Sequence, residues 1–327
     1  MKKIKIYSLF ILSVLVAASC DKRSRNEIYP PAIQDNVLSA AQKEGNLNVF
    51  VAAMKLARMD SALQYLGQYT VWAPTDQAFA GININAGNLN TVPIETLRAI
   101  LRYHIVSGRV PRINLLPGPN SPYTSISNEA MYTSTYSAGV PGSFLNGRRI
   151  VKTDILANNG VLHAIGGVLA PPPGNIMQTL EANPNFSFLV AAIDRAGLRS
   201  TFASTNVFNL FAPTNTAFQN AGYADIAAIQ AANATALSNI LRYHVVAAAT
   251  VSIPLPSPLF LRGRLFSVDL RNGWSLTTVQ GTNVTIVTTP TSAAVKGTTN
   301  TGNSNITLAD IVARNGVIHQ IDQVLLP

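Results

Sequence analysis

Apolar positions in this chain follow two periods, and each pattern is written twice. Leu97, Ile100, Leu101 and Ile105 stand at i, i+3, i+4 and i+8, the stripe of an amphipathic helix, which predicts a helix over 96–106. Leu237, Ile240, Leu241 and Val245 repeat the stripe. His104 and His244 fall on it, so each imidazole should face a core, where its ring nitrogens need partners. Tyr103 and Tyr243 sit about 100° further round and should reach the surface. Alternation is the second period. After Asn159-Gly160, Val161, His163 and Ile165 share one face and Leu162 and Ala164 the other, and Asn315-Gly316 opens the same pattern. Each reads as a turn dipeptide followed by a terminal strand, reaching Leu169 or Leu326. Residues 70–74 and 209–213 read as short strands stopped by Pro74 and Pro213. Thr75 or Asp76, and Thr214 or Asn215, should then cap the next helix through a side-chain oxygen.

The repeat is a duplicated domain. Pro74 and Pro213 stand 139 residues apart, while His163 and His319 stand 156 apart. The extra length gathers after Tyr243, in part as a Thr/Asn/Gly-rich stretch over 288–305, where loops tolerate insertion. Pro171-Pro172-Pro173-Gly174 stiffens the junction, giving domains over 34–172 and 175–327, each of ordinary domain size. All four histidines occupy repeated positions, including His163 and His319 on apolar strand faces. A hydrogen-bonded structural histidine is therefore the favoured reading at every one.

The first 33 residues read as an address. Lys2, Lys3 and Lys5 precede an apolar run over 6–16 that is too short to span a bilayer comfortably. Ala17, Ala18 and Ser19 then lead into Cys20, the only cysteine. This resembles a bacterial lipoprotein signal peptide over 1–20, with Cys20 as the lipidation site and 21–33 as a polar tether. Several acyl chains on one residue exceed what stable anchoring requires. The chain is expected to be exported and lipid-anchored to the bacterial cell envelope, at the outer membrane. A single cysteine excludes a disulfide framework. The formal charge of +9 is concentrated in the leader and tether; beyond Arg25 the count is 18 basic to 14 acidic, scattered. That excludes the basic footprint of a nucleic-acid binder.

Taken together, these residues resemble the fasciclin domain family. The resemblance rests on Ala73-Pro74-Thr75, Tyr103-His104, Asn159-Gly160-Val161-Leu162-His163 and their second copies, and it spans nearly the whole chain beyond the tether. It implies an α+β fold of two tandem fasciclin-like domains, each a β-sandwich wedge flanked by small helices. It implies extracellular adhesion without catalysis or cofactor, and places interaction at the Tyr-His and Asp-Ile segments. By position these are Tyr103, His104, Asp154 and Ile155, then Tyr243, His244, Asp310 and Ile311. Read from the residues alone, Asp154 and Asp310 stay open between bonding backbone in a turn and presenting a recognition carboxylate. Copy one carries Ala164-Ile165-Gly166-Gly167 where copy two has Gln320-Ile321-Asp322-Gln323.

Enzymatic readings find little support. No His-x-x-x-His or His-Glu-x-x-His spacing is present, so a metal-dependent hydrolase is the weakest candidate and no metal site is expected. There is no Gly-x-Ser-x-Gly elbow. Residues 142–149 mimic a phosphate loop without its Lys-Ser/Thr and read instead as a turn at Asn146-Gly147. The expected function is non-catalytic recognition of an extracellular protein or polysaccharide of the envelope or matrix, with no cofactor. The alternative is glycan capture for carbohydrate uptake, with Tyr123, Tyr132, Tyr136 and Trp274 as stacking platforms.

Overall fold

The computed structural model describes residues 35–63, 67–136, 141–251 and 263–327; the leader, Cys20 and the tether lie outside the described residues. The first half forms a seven-stranded sheet from β1 (Tyr69–Pro74), β2 (Ile105–Ser107), β3 (Gly118–Thr124), β4 (Ala130–Tyr136), β5 (Gly142–Leu145), β6 (Arg148–Ala157) and β7 (Gly160–Ile165). Their order is β2-β1-β7-β6-β5-β4-β3; β1 and β7 run parallel and every other pair is antiparallel. The second half repeats this with β8 (Phe208–Pro213), β9 (Val245–Ala247), β10 (Ser275–Thr277), β11 (Asn283–Thr288), β12 (Ala293–Lys296), β13 (Ser304–Ala313) and β14 (Gly316–Ile321), in the order β10-β11-β12-β13-β14-β8-β9.

Each sheet curls until its two ends meet. A bridge joins Val106 to Ser125, and Ile126 N–H donates to the Ile105 carbonyl at 2.8 Å. In the second domain Val279 N–H donates to the Val245 carbonyl at 2.7 Å. Curling gives each domain two cores. In the first, helices pack Phe50, Met54, Phe79, Leu97 and Leu101 against Leu162 and Ala164 on the outside of the sheet. Trp72, Tyr103, Met131, Leu145 and Ile165 fill the inside. Ile318 and Ile321 mark the corresponding two faces in the second domain. The alternation read around His163 thus serves two cores, and every residue of β7 is buried.

Several local expectations change. The striped helix runs Ile94–Tyr103, His104 is its C-cap, and Ile105 begins β2 rather than extending the helix. β-Branched Ile105 and Val106 suit a strand better than a helix terminus. Tyr103 and Tyr243 are fully buried, not at the surface, because the helix end is wedged into the curl and its second face meets the inner core. β7 and β14 end at Ile165 and Ile321, short of Leu169 and Leu326.

The turn before β7 occupies residues 158–159, so Gly160 is the first strand residue. Its need for glycine is close approach, since a Cβ there would collide with the Tyr69 carbonyl of the parallel neighbour; Gly316 meets Phe208 likewise. Asn159 is a buried tie: its Oδ1 accepts Val37 N–H at 2.9 Å and its amide donates to the Leu63 carbonyl. Asn315 does the same for Ile176, Phe202 and Ser204.

Thr75 and Thr214 cap the following helices through Ala78 and Ala217 N–H, at 3.1 and 3.2 Å. Asp76 and Asn215 cap an earlier helix instead, accepting Val49 N–H at 2.8 Å and Phe188 N–H at 3.0 Å. Two adjacent residues therefore terminate two helices at one joint.

Candidate binding surface

The Tyr-His pairs are built into the cores. His104 Nδ1 donates to the Ile100 carbonyl at 2.8 Å, and Nε2 accepts Leu169 N–H at 3.0 Å. His244 makes the same pair of bonds to Ile240 and Leu325, both at 2.8 Å. A carbonyl on one side and an N–H on the other fix a neutral tautomer. Burial, opposed in part by the carbonyl bond, lowers both imidazoles to a pKa of about 4. Tyr103 Oη donates to the Ala130 carbonyl at 2.8 Å and accepts from Asn146 Nδ2 at 2.9 Å. Tyr243 likewise donates to the Asn283 carbonyl at 2.7 Å. Burial raises the Tyr103 phenol.

His163 Nε2 donates to the Val110 carbonyl at 2.8 Å, its Nδ1 accepts Asp154 N–H at 3.3 Å, and its ring stacks on Trp72 at 4.6 Å. His319 Nε2 donates to the Leu265 carbonyl at 2.8 Å and its ring stacks on Phe211 at 5.7 Å. Burial lowers both. All four imidazoles are fully buried.

The Asp-Ile segments form a corner in the fold. Asp154 and Asp310 hold left-handed backbones, with φ of 57° and 65°, at the register shifts of β6 on β7 and β13 on β14. Asp tolerates that region better than most residues with a Cβ. Both carboxylates bond backbone: Asp154 accepts Arg112 N–H at 2.8 Å, and Asp310 accepts Ser267 N–H at 2.6 Å. Their exposure differs. Asp154 is exposed, whereas Asp310 is buried, receives the Ser267 hydroxyl at 2.6 Å and lies against Gly147 of the other domain. Ile155 is buried and Ile311 half-buried.

The tyrosines do not gather on one open face. Tyr123 is half-buried edge-on to Trp72 at 6.5 Å, and Trp274 packs against the inner core of the second domain. Tyr132 and Tyr136 face the second domain. The Arg264 guanidinium lies 4.3 Å over the Tyr132 ring, and Phe266 is 6.2 Å from it. Arg271 lies 5.1 Å over Tyr136, whose hydroxyl donates to buried Asp269.

Sequence reading missed this domain contact. Around it, Glu129 receives Arg314 through Nη2 at 2.6 Å and Nε at 3.0 Å, and Asn120 Nδ2 donates to the Arg264 carbonyl at 2.7 Å. Phe266, Val312 and Val317 form its apolar centre with Tyr132 and Val268. Burial raises Asp269 to a pKa of about 6 against the bonds from Tyr136 and Phe266 N–H. The sequence marked Tyr132 and Tyr136 only as stacking platforms, and nothing marked their partners, because the contact joins segments more than a hundred positions apart. Among the described residues no group of three or more His, Cys, Asp or Glu is placed to hold a metal ion, and no helix is long and apolar enough to cross a membrane.

Comparison with known proteins adds independent findings. The family model described as "Fasciclin domain" matches residues 45–171, 184–257 and 259–327. The chain is 29% identical over 264 residues to transforming growth factor-beta-induced protein ig-h3 of Sus scrofa, covering 80% of this chain and 35% of that protein. It is 27% identical over 273 residues to human periostin, covering 83% and 30%. The uncharacterized protein sll1735 of Synechocystis is 32% identical over 152 residues, covering 46% of this chain and 97% of that one. This chain thus spans about a third of the length of the first two relatives. A solved domain pair from the insect cell adhesion molecule Fasciclin I aligns over 87% of this chain and 98% of its own, with TM-score 0.40 and 19% identity.

Proposed function

This chain belongs to the fasciclin domain family, and from that premise we propose that it is a non-catalytic adhesion protein of the cell envelope. Its ligand in this reading is an extracellular protein or polysaccharide, and its anchor is a lipid on Cys20, with residues 1–20 as the cleaved leader, 21–33 as the tether and domains over 34–172 and 175–327. One observation carries the reading: the Asp154 corner of the first domain stands open while its counterpart at Asp310 is covered. Around Asp154, Ile113 is 87% exposed, Leu116 61% and Leu156 50%. Apolar side chains this exposed beside a carboxylate held by backbone suit recognition better than solvation. Tyr103 and His104 support the fold from inside the first domain, as Tyr243 and His244 do in the second.

The test is binding of the chain from residue 21 onward to immobilised matrix proteins and a glycan array. Binding should fall at least about tenfold, roughly 1.4 kcal/mol, with Ile113→Asp or Leu156→Asp while melting stays unchanged. Glycan binding that ignores those changes but disappears with Tyr123 or Trp274 replaced would move the protein to carbohydrate capture. Stoichiometric metal with hydrolysis of a substrate would sink the non-catalytic reading. Anchoring is checked separately: Cys20→Ala should shift the protein from the membrane to the soluble fraction, and an unshifted variant refutes the lipid.

A further inference from the structure

The second domain already docks through its corner, and the repeat identifies the same corner in the first. Arg112 N–H on Asp154 matches Ser267 N–H on Asp310, and the Val110 carbonyl on His163 matches that of Leu265 on His319. Arg109 therefore corresponds to Arg264, Ile113 to Val268, Leu116 to Arg271 and Leu156 to Val312. In the second domain these positions meet Tyr132 and Tyr136 of the first, and Val312 is only 9% exposed. Glu129 is held separately by Arg314, which the repeat matches to Asn158. In the first domain no other domain covers them: Arg109, which donates to the Ala157 carbonyl at 3.4 Å, and Arg112 are exposed, as are Ile113, Leu116 and Leu156.

The receiving face has a counterpart too. Tyr103 on the Ala130 carbonyl matches Tyr243 on that of Asn283, and Ser125 N–H on Glu129 matches Thr278 N–H on Thr282. Glu129 thus corresponds to Thr282 and Tyr132 to Thr285, both exposed. That face has lost its ring and its carboxylate, and neighbouring Lys296 adds positive charge against Arg109 and Arg112. A second copy of this chain therefore lacks the groups that seat the corner. A heterologous contact that would otherwise propagate is stopped by chemistry.

We propose that residues 109–116 together with Leu156 are a docking surface for another protein's β-sheet face that presents an aromatic ring, as Tyr132 does, beside a carboxylate whose charge complements exposed Arg109 and Arg112. Arg109 would lie over the ring, and Ile113 and Leu116 would cover its apolar surround. The inference rests on the adhesion reading in naming the same corner, and it commits the ligand to protein.

The experiment builds the missing partner face on this chain. Thr282→Glu with Thr285→Tyr restores both groups at exposed positions, and Tyr suits a strand. In sedimentation velocity the grafted chain should self-associate at least about tenfold more strongly than the unmodified chain. Adding Ile113→Asp and Leu116→Asp should return it to the unmodified level. A grafted chain that melts like the original and sediments like it at every concentration overturns the proposal. Thr285→Tyr alone, which changes one exposed residue, decides the matter if the double graft fails to fold. Adhesion to matrix proteins can fail while the graft still associates, so the two readings fall separately.

Discussion

An imidazole whose two nitrogens are committed to backbone cannot take a second proton without losing a partner. At His104 and His244 that partner is an N–H of the segment that follows the last strand, Leu169 or Leu325. The folded pKa is about 4, against an ordinary 6.5 in the unfolded chain. Below pH 6.5 the unfolded chain therefore binds protons that the folded chain refuses. Stability is full above pH 6.5 and falls as pH drops toward 4, by up to about 3 kcal/mol per histidine. Denaturant midpoints taken between pH 7 and 4.5 should show this slope, and His104→Gln with His244→Gln should lessen it, leaving the part due to His163, His319 and Asp269, while lowering stability throughout. Parallel curves for the two proteins would remove these histidines as the cause. The same geometry explains why histidines that look like site residues in a sequence are interior supports here.

Elements in this fold are joined by residues that serve two neighbours at once. Gly160 lets β7 run against β1, with the Tyr69 carbonyl where a side chain would start. Gly160→Ala should therefore cost about 2–3 kcal/mol as an overpacking change. Gly197 has a left-handed φ of 68° and nothing within 4 Å, so Gly197→Ala carries only backbone strain of about 1–2 kcal/mol. Chemical denaturation of both variants checks the order, and equal losses would show that close approach at Gly160 is not decisive. The strand, Pro74 and the Thr75 cap were legible because their causes lie within five residues. The two domains and the α+β class were legible because duplication prints the same local causes twice. Tyr103 was misread because a stripe assumes one buried face, whereas this helix end enters a curled sheet with a core on each side. Which helix Asp76 caps depends on chain folding back from residue 49, which no local pattern shows.

At the scale of the whole molecule, two copies of one fold are made unequal by contact. The face of β4 receives Arg264, Phe266, Asp269 and Arg271, which leaves the two corners with different neighbours. The contact was not legible because its matching groups, Tyr132 and Arg264 or Glu129 and Arg314, come from opposite ends of the repeat. The Glu129–Arg314 pair, with Arg314 largely exposed and Glu129 half-buried, contributes little by itself, about 0–1 kcal/mol. Asp269 is different, being fully buried and faced by Tyr136, Arg271 and Asp310. Burial raises its folded pKa to about 6, above an unfolded value of 3.8. Its contribution is therefore fully present below pH 3.8 and is lost as pH rises through 6, opposite in sign to the histidines. Asp269→Asn keeps the shape and an acceptor for Phe266 N–H but cannot titrate. Subtracting its stability from the wild type cancels His104 and His244 and isolates the carboxyl. The difference should move in favour of the wild type as pH falls from 6 to 4, by up to about 3 kcal/mol. A difference that stays flat over that range would mean that the carboxyl is ionised and solvated in the folded protein, and that the domain contact at Tyr136 is open in solution.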